Sequence, residues 1–169
     1  MVAASVSPSS NVYAFEPHPM FFQWLSDNIK LNHHLHSIYS FQVALGDYDG
    51  TSTIADYSQA DSSIEARIST FDTFAQQQGI TSIKAIKVDI EGMEPEFIKG
   101  ALKSIIKHRP YILIEVLTDE IGAEIMCALK SVSYDLFHIH DDTGIVEKVA
   151  RLEHRSGGRN FLLIPQGNS

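Results

Sequence analysis

The stretch IKVDIEGMEPEFIKG, residues Ile86–Gly100, decides the fold because it places a strand, a tight turn and a helix start in direct succession. A mostly apolar run leads to Asp89, as expected where a buried strand ends. Gly92 permits a sharp turn, and Pro95 suits the first position of a helix, where its missing N–H costs nothing. The pattern therefore predicts a β-strand followed at once by a helix.

The same order of strand and helix recurs along the chain. The predicted strands are NVYAF, SIYSFQVAL, IKAIKVDI, PYILIEV, YDLFHIH and NFLLIP. The predicted helices are MFFQWLSDNIKLN, STFDTFAQQQGI, residues 95–108 and about 119–132. Residues 51–69 are predicted to form an excursion or hairpin over the sheet. Such alternation indicates a three-layer α/β fold with a mainly parallel sheet. We expect residues 1–169 to form a single domain.

The composition of the chain limits the classes of partner and location that can be expected. The chain has 169 residues and a formal net charge of −8, which argues against binding the phosphate backbone of nucleic acid. No apolar run approaches the roughly 20 residues of a membrane span, and the N-terminal residues do not resemble a signal peptide. The single cysteine, Cys127, is predicted to be a small buried hydrophobe. A small-molecule substrate and a cytoplasmic location are therefore expected.

Three predicted strands end in acids, which are Glu16, Asp89 and Glu115. Ligands of open α/β sheets bind beyond the C-terminal ends of the strands, so these carboxylates are candidate site residues. A carboxylate that ends the strand after the first crossover suits a ribose, because it can accept hydrogen bonds from both vicinal hydroxyls. Glu16 is thus a candidate ribose ligand, and a turn or helix-capping acid is the alternative.

Several ordered blocks of the sequence resemble a known family. They are VYAFEPHPMFFQWLSDNIKLN, VALGDYDG, ISTFDTF, IKAIKVDIEGMEPEFIKGALKSIIKHRPYILIEV and NFLLIP. Together these blocks, from about Val2 to Pro165, resemble the FkbM-type S-adenosylmethionine-dependent methyltransferases. The resemblance implies the Rossmann-like class I methyltransferase fold and O-methylation of a hydroxyl on a small-molecule or sugar-like substrate.

The chain departs from this family at its start. The family opens with a strand and a glycine-rich turn that holds the methionine part of the cofactor, and no such turn precedes Glu16. Residues 2–11, VAASVSPSSN, resemble the end of the helix that follows the turn. The chain is therefore expected to lack the usual first strand. The exposed strand edges that remain would favour a homodimer.

This departure leaves two other functions open. The chain is either an active methyltransferase or a catalytically inactive, fragmentary module of the same fold that acts in binding. A nicotinamide-binding Rossmann domain is a third interpretation, because an acid after the second strand serves there too. That domain also requires a glycine-rich turn.

The resemblance implies a cofactor site for S-adenosylmethionine. Glu16, with Pro17 beside it, would bind the ribose hydroxyls. Ala44 and Leu45 would lie beside the adenine, and Asp47 would approach its amino group.

The resemblance also places Asp89 where cofactor and substrate meet, so it is both a cofactor-binding and a catalytic candidate. Methyl transfer to an alcohol requires positioning and removal of the hydroxyl proton, which a carboxylate can accept. Glu91 is a second catalytic candidate because it shares the strand parity of Asp89. His18 is a candidate general base beside Glu16, with a turn residue as the alternative.

A metal site is the competing interpretation of the carboxylates Asp89, Glu91 and Glu94. Oxygen ligands suit Mg²⁺ or Ca²⁺, but this spacing is no EF-hand loop, and Glu94 near a helix start is better explained as a structural residue. His138 and His140 alternate on one predicted strand and suggest zinc, although a surface pair without cysteine is favoured. We therefore assign no metal ligands and keep a divalent ion only as an alternative cofactor.

Overall fold

The computed structural model describes residues 10–35, 37–56 and 62–167, which form ten strands and five α-helices. The chain divides into two compact units, Met1–Ser69 and Thr70–Ser169. The elements of the first unit are β1 (Val12–Phe15), α1 (Pro19–Leu31), β2 (Ile38–Phe41), β3 (Ala44–Gly46), β4 (Gly50–Ala55) and β5 (Ser63–Thr70).

The first unit begins with a parallel strand pair joined through a helix. β1 pairs in parallel with β2, in a register that sets Val12 opposite Ile38. Aromatic side chains stack across the pair, with 5.7 Å between the ring centroids of Phe15 and Phe41. Pro19 stands at the start of α1 and Asn32 caps its end, so the predicted bounds of this helix are confirmed.

The second sheet of this unit has three strands in the order β3-β5-β4. β4 and β5 are antiparallel, which confirms the hairpin predicted for residues 51–69. The single strand predicted from SIYSFQVAL is wrong, because it divides into β2 and β3 on either side of Gln42 and Val43. The two halves join different sheets. Val43, which lies between them in the sequence, is buried.

The second unit contains one five-stranded sheet in the order β6-β7-β10-β8-β9. Its elements are α2 (Phe71–Gln77), β6 (Ala85–Val88), α3 (Glu94–Gly100), α4 (Leu102–His108), β7 (Tyr111–Glu115), α5 (Asp119–Ala128), β8 (Tyr134–Ile139), β9 (Val146–Val149) and β10 (Asn160–Pro165).

The sheet of the second unit is mixed, so the prediction of a mainly parallel sheet is confirmed only in part. β6 and β7 are parallel, and β10 runs antiparallel to both β7 and β8. β7 and β8 therefore share one direction, which their connection through α5 allows. β9 and β10 follow β8 with no helix between them, and both run in the opposite direction.

The single helix predicted for residues 95–108 is wrong, because the helix breaks at Ala101. The carboxylate of Asp72 accepts hydrogen bonds from the backbone N–H groups of Lys103 and Ser104, at 3.0 and 2.7 Å. The first backbone N–H groups of a helix have no carbonyl partner within that helix, and the Asp72 carboxylate supplies partners for two of them in α4. Ala101 is fully buried at the break.

Two further sequence interpretations need correction. β9 was not predicted, since its sequence VEKV carries little apolar signal and its residues are mostly exposed. Cys127 is exposed, so the prediction of a buried thiol is wrong. Ile125, two positions earlier on α5, is fully buried, and residues two apart on a helix point in different directions.

The core of the second unit is apolar and closely packed. The fully buried side chains include Ile98, Ile105, Ile112, Ile114, Ile125, Phe161 and Leu163. Gly122 lets α5 approach the backbone at Leu152 closely, because a Cβ at position 122 would lie 2.0 Å from the carbonyl oxygen of Leu152. The core therefore forms where α3, α4 and α5 supply apolar faces and the sheet supplies alternate residues of its strands.

Among the described residues β1 has β2 as its one ladder partner, and β6 has β7. The interpretation of residues 2–9 lies outside the described residues. The single domain, the three layers, the absent first strand and the homodimer stay predictions. None of the helices in the described ranges has the length and apolar character needed to cross a membrane.

Candidate functional site

Two carboxyl groups meet at the C-terminal ends of neighbouring parallel strands in the second unit. β6 ends at Val88, which pairs with Ile114 of β7. The next residue on each strand is acidic, so Asp89 stands beside Glu115. The parallel register thus brings together two of the acids that the sequence places at strand ends.

The two carboxyl groups differ in their electrostatics. Lys87 donates a hydrogen bond of 2.8 Å from Nζ to Oδ2 of Asp89, and this bond holds the pKa of Asp89 below its usual value. Burial, and then the neighbouring charge of Asp89, raise the pKa of Glu115. Glu91 adds a smaller effect in the same direction and Arg159 opposes it. The pair therefore keeps Asp89 ionised and gives Glu115 the stronger hold on a proton.

A strained turn follows Asp89. Glu91 has a φ of 56° and Gly92 a φ of 99°, so two successive residues occupy the left-handed region. The predicted sharp turn at Gly92 is therefore confirmed. A left-handed conformation is costly for a non-glycine residue and persists where the surroundings enforce it. The exposed side chain of Glu91 is consequently held at this edge by the backbone.

Glu94 supplies the bonds that enforce the turn. Its side chain is fully buried, and Oε1 accepts hydrogen bonds from the backbone N–H groups of Ile90 and Gly92, at 3.0 and 3.4 Å. The structural role expected for Glu94 agrees with these contacts. The carboxylate binds the turn preceding α3, and the N-terminal end of that helix favours its negative charge.

The first unit holds a second group of candidate residues at the end of β1. Glu16 follows the strand, and its Oε1 accepts a hydrogen bond of 2.8 Å from the backbone N–H of His18. The buried His18 ring has its Nε2 3.3 Å from Oδ1 of Asp56. The carboxylate of Glu16 is thus fixed in a turn, and Pro17 lies half-buried between the two residues.

The adenine candidates lie on and just after β3. Ala44 and Leu45 are half-buried within the strand, and Asp47 is exposed in the turn that follows. A Cβ on the intervening Gly46 would lie 2.7 Å from a side-chain carbon of Ile68, so this strand passes close to β5. Ala44 and Leu45 therefore present small and apolar side chains of the kind that line nucleobase sites.

The structure thus gathers the candidates into one group in each unit. Glu16 and His18 lie together in the first unit, and Asp89, Glu91 and Glu115 lie together in the second. That Glu16 and Asp89 line a common crevice, and the individual roles assigned to the candidates, stay predictions.

Glu115 was recognised as a strand-end acid but was not assigned a role in the site. The missing information was the strand pairing, because only the register of β6 against β7 shows that Glu115 stands beside Asp89. The sequence signal that finds such a pair is an acid directly after each of two consecutive buried strands joined by a helix.

Removing the charge at Glu115 is expected to stabilise the protein above acidic pH. Because the pKa of Glu115 is raised in the folded state, stability falls as pH rises from the unfolded to the folded pKa, and the penalty stays in full above it. Glu115→Gln should therefore have a higher urea midpoint than the parent at pH 7. Its free energy of unfolding should be higher by at most about 1 kcal/mol, because this group is partly exposed. At pH 3 the difference should vanish, and a constant difference at both pH values would contradict the repulsion.

The carboxylates of the turn do not form a metal-binding group. Within the part of the chain that the structure describes, one set of three potential ligands lies close enough to hold an ion, and it consists of His138, His140 and Glu147. Two of these are the histidines that the sequence placed on one strand face. Glu147 was not predicted, because it lies on the unpredicted strand β9.

Of the comparisons with known proteins, one shows the family and another shows the fold. A family model described as the Methyltransferase FkbM domain matches residues 1–142. Among solved structures, the crystal structure of a methyltransferase FkbM from Methylobacillus flagellatus KT is similar, with a TM-score of 0.61 at 18% sequence identity. The likeness covers 91% of this chain and 36% of that chain, so this chain spans well under two thirds of that protein, and at this identity it shows the fold alone. No curated protein gave a match.

Proposed function

Because the chain belongs to the FkbM methyltransferase family, we propose that it acts in S-adenosylmethionine-dependent methyl transfer to a hydroxyl of a small-molecule or sugar-like substrate. The observation that carries this proposal is the pair formed by Asp89 and Glu115 at the ends of two parallel strands. Ligand sites of α/β sheets lie at this edge.

Asp89 is proposed to bind and deprotonate the acceptor hydroxyl. It is about half exposed and ionised, so one of its oxygens can accept the hydrogen bond of an incoming hydroxyl. A lowered pKa makes it a weak base, but a hydroxyl becomes strongly acidic as its oxygen gains a bond to carbon. The carboxylate therefore positions the hydroxyl first and takes its proton as the bond forms.

Lys87, Glu91 and Glu115 are proposed to support this carboxylate. Lys87 fixes one oxygen of Asp89, and a proton on Glu115 can be shared with the other. Glu91 adds negative charge at the same edge and is held there by the strained turn. His18 bonds to Asp56. This contact supports a role for His18 in holding the turn that follows Glu16, in addition to its predicted role as a general base.

Glu16 fits the cofactor assigned to it. One carboxylate oxygen is bound to the backbone of His18, and no described residue occupies the other. The free lone pairs can accept from the two ribose hydroxyls, while Ala44 and Leu45 offer an apolar contact to the adenine. S-adenosylmethionine, when bound, supplies an electrophilic methyl group. Glu16, Ala44 and Leu45 would hold its ribose and base.

Titration calorimetry tests this assignment and the inactive-module alternative together. The chain is expected to bind S-adenosylmethionine, and Glu16→Gln should weaken binding about tenfold to a hundredfold by removing hydrogen bonds to a charged acceptor. Glutamine retains an oxygen for the N–H of His18, so the turn should persist. Glu65→Gln, an exposed acid of the same unit, is the matched control and should bind as the parent does.

The other outcomes separate the alternatives. If the parent chain binds no S-adenosylmethionine, the catalytically inactive module becomes the better description. Equal affinity of the parent and Glu16→Gln would remove Glu16 from the cofactor site. Binding of NAD in preference to S-adenosylmethionine would support the nicotinamide-binding interpretation.

A further inference from the structure

The hairpin of β8 and β9 carries three potential metal ligands on one face of the sheet. His138 lies on β8 and His140 directly follows the end of that strand, and their ring centroids are 4.6 Å apart. In the antiparallel register Glu147 of β9 stands directly opposite His138. Residues opposite each other across such a pair also share a face, so the three side chains converge.

Their ligand atoms are close enough to share an ion. One imidazole nitrogen of each histidine and one carboxylate oxygen of Glu147 all lie within 4.8 Å of one another. His140 Nε2 lies 3.7 Å from Oε2 of Glu147. The ligands of a tetrahedral zinc ion, at about 2.0–2.1 Å from the metal, stand roughly 3.3 Å apart. Small side-chain movements would therefore complete the geometry.

The buried histidine has one ring nitrogen without a hydrogen-bond partner. His138 is fully buried, and its Nε2 lies 3.0 Å from the carbonyl oxygen of Gly158. A carbonyl only accepts hydrogen bonds, so Nε2 carries a proton, and in the neutral imidazole Nδ1 then keeps a free lone pair. Nδ1 is buried with no hydrogen-bond partner in the described ranges. Metal-bound histidines typically donate their second N–H to a carbonyl or carboxylate in this way.

We propose that His138, His140 and Glu147 form a site for a zinc-like divalent ion, with the fourth position open to water. Two imidazole nitrogens and one carboxylate suit Zn²⁺ or Co²⁺, whereas Mg²⁺ and Ca²⁺ prefer oxygen ligands throughout. The cluster lies at the same end of the sheet as the carboxyl pair, since Asn160 of β10 stands opposite both Glu115 and Ile139. Its ligands include neither Asp89 nor Glu115, and the proposal does not depend on the proposed methyl transfer.

The neighbouring charges permit a cation here. The guanidinium of Arg155 lies beside Glu147, with Nη1 4.0 Å from Oε2. It makes its shorter contact of 3.0 Å with Glu153, which can keep it when an ion takes Glu147. The ion would join β9 to β8 directly, and through the imidazole of His138 it would reach the backbone at Gly158. It would therefore stabilise the edge of this sheet.

Titration with Co²⁺ alone tests the site, because a tetrahedral Co²⁺ ion has strong visible absorption bands. A Cys127→Ser background removes the exposed thiol as a competing ligand. We expect one Co²⁺ per chain with a tetrahedral spectrum, displaced by Zn²⁺, and a higher thermal midpoint in the presence of Zn²⁺. His140→Ala and Glu147→Gln each remove one ligand and should weaken binding at least about tenfold.

His154→Ala is the matched control, since His154 is an exposed histidine of the same unit outside the cluster. It should bind Co²⁺ as the background chain does. His138 is left unchanged because it is buried and its loss could prevent folding. The proposal is overturned if the background chain shows no tetrahedral spectrum, or if His140→Ala and Glu147→Gln bind Co²⁺ with the affinity of the control.

Discussion

Asp89→Asn is expected to lower the rate of methyl transfer about 10²- to 10⁴-fold, the usual contribution of a positioned general base. Asparagine keeps the size of the side chain and a hydrogen-bonding oxygen, but it cannot take the proton of the acceptor hydroxyl. The acceptor should still bind, so the loss should appear in kcat more than in KM. Single-turnover transfer from labelled S-adenosylmethionine, with an acceptor found by screening sugars and other small alcohols, measures this.

Two variants separate this role from a general effect on the fold. Asp142→Asn changes an exposed aspartate of the same unit and should leave the rate unchanged. Lys87→Met removes the hydrogen bond that lowers the pKa of Asp89, so the acidic limb of the pH–rate profile should move to higher pH. Full activity of Asp89→Asn, or an equal loss in Asp142→Asn, would exclude Asp89 as the base.

Phe161→Ala is expected to lower the free energy of unfolding by about 3–5 kcal/mol, the usual cost of removing a large buried aromatic side chain. Phe161 is fully buried on β10, whose neighbours on both sides are β7 and β8. Its ring lies 5.1 Å from the ring of His138, measured between centroids. The cavity left by alanine would open in the middle of the sheet, and urea unfolding followed by circular dichroism measures the loss.

Phe137→Ala provides the comparison on the same sheet. Phe137 is only half-buried, and Lys148 lies over its ring at 5.9 Å from the centroid. Its removal should cost clearly less than that of Phe161, because less apolar surface is returned to water. Equal losses for the two variants would mean that burial in this structure does not govern their stability.

The local parts of the fold could be predicted from the sequence because their signals are local. The strand, turn and helix start around Asp89, Gly92 and Pro95 are encoded by adjacent residues, and the structure has them in that order. The break at Ala101 could not be found in this way. It depends on a carboxylate of α2 that is remote in sequence and caps the first turn of α4.

The candidate site shows the same division. The sequence places acids at strand ends, but the pairing of Asp89 with Glu115 follows from a register that no single strand encodes. The alternation of His138 and His140 is visible in the sequence. Their third partner lies on β9, whose polar residues carry no strand signal, so the cluster of His138, His140 and Glu147 requires the three-dimensional structure.

The position of β10 also sets the order in which the second unit can be completed. β10 comes last in the sequence of this sheet but lies between β7 and β8, both of which are made earlier. During translation, β8 and β9 leave the ribosome while the place beside β7 is still open. The sheet therefore becomes continuous only after residues 160–165 have emerged, and its central contacts form late because they join distant parts of the chain.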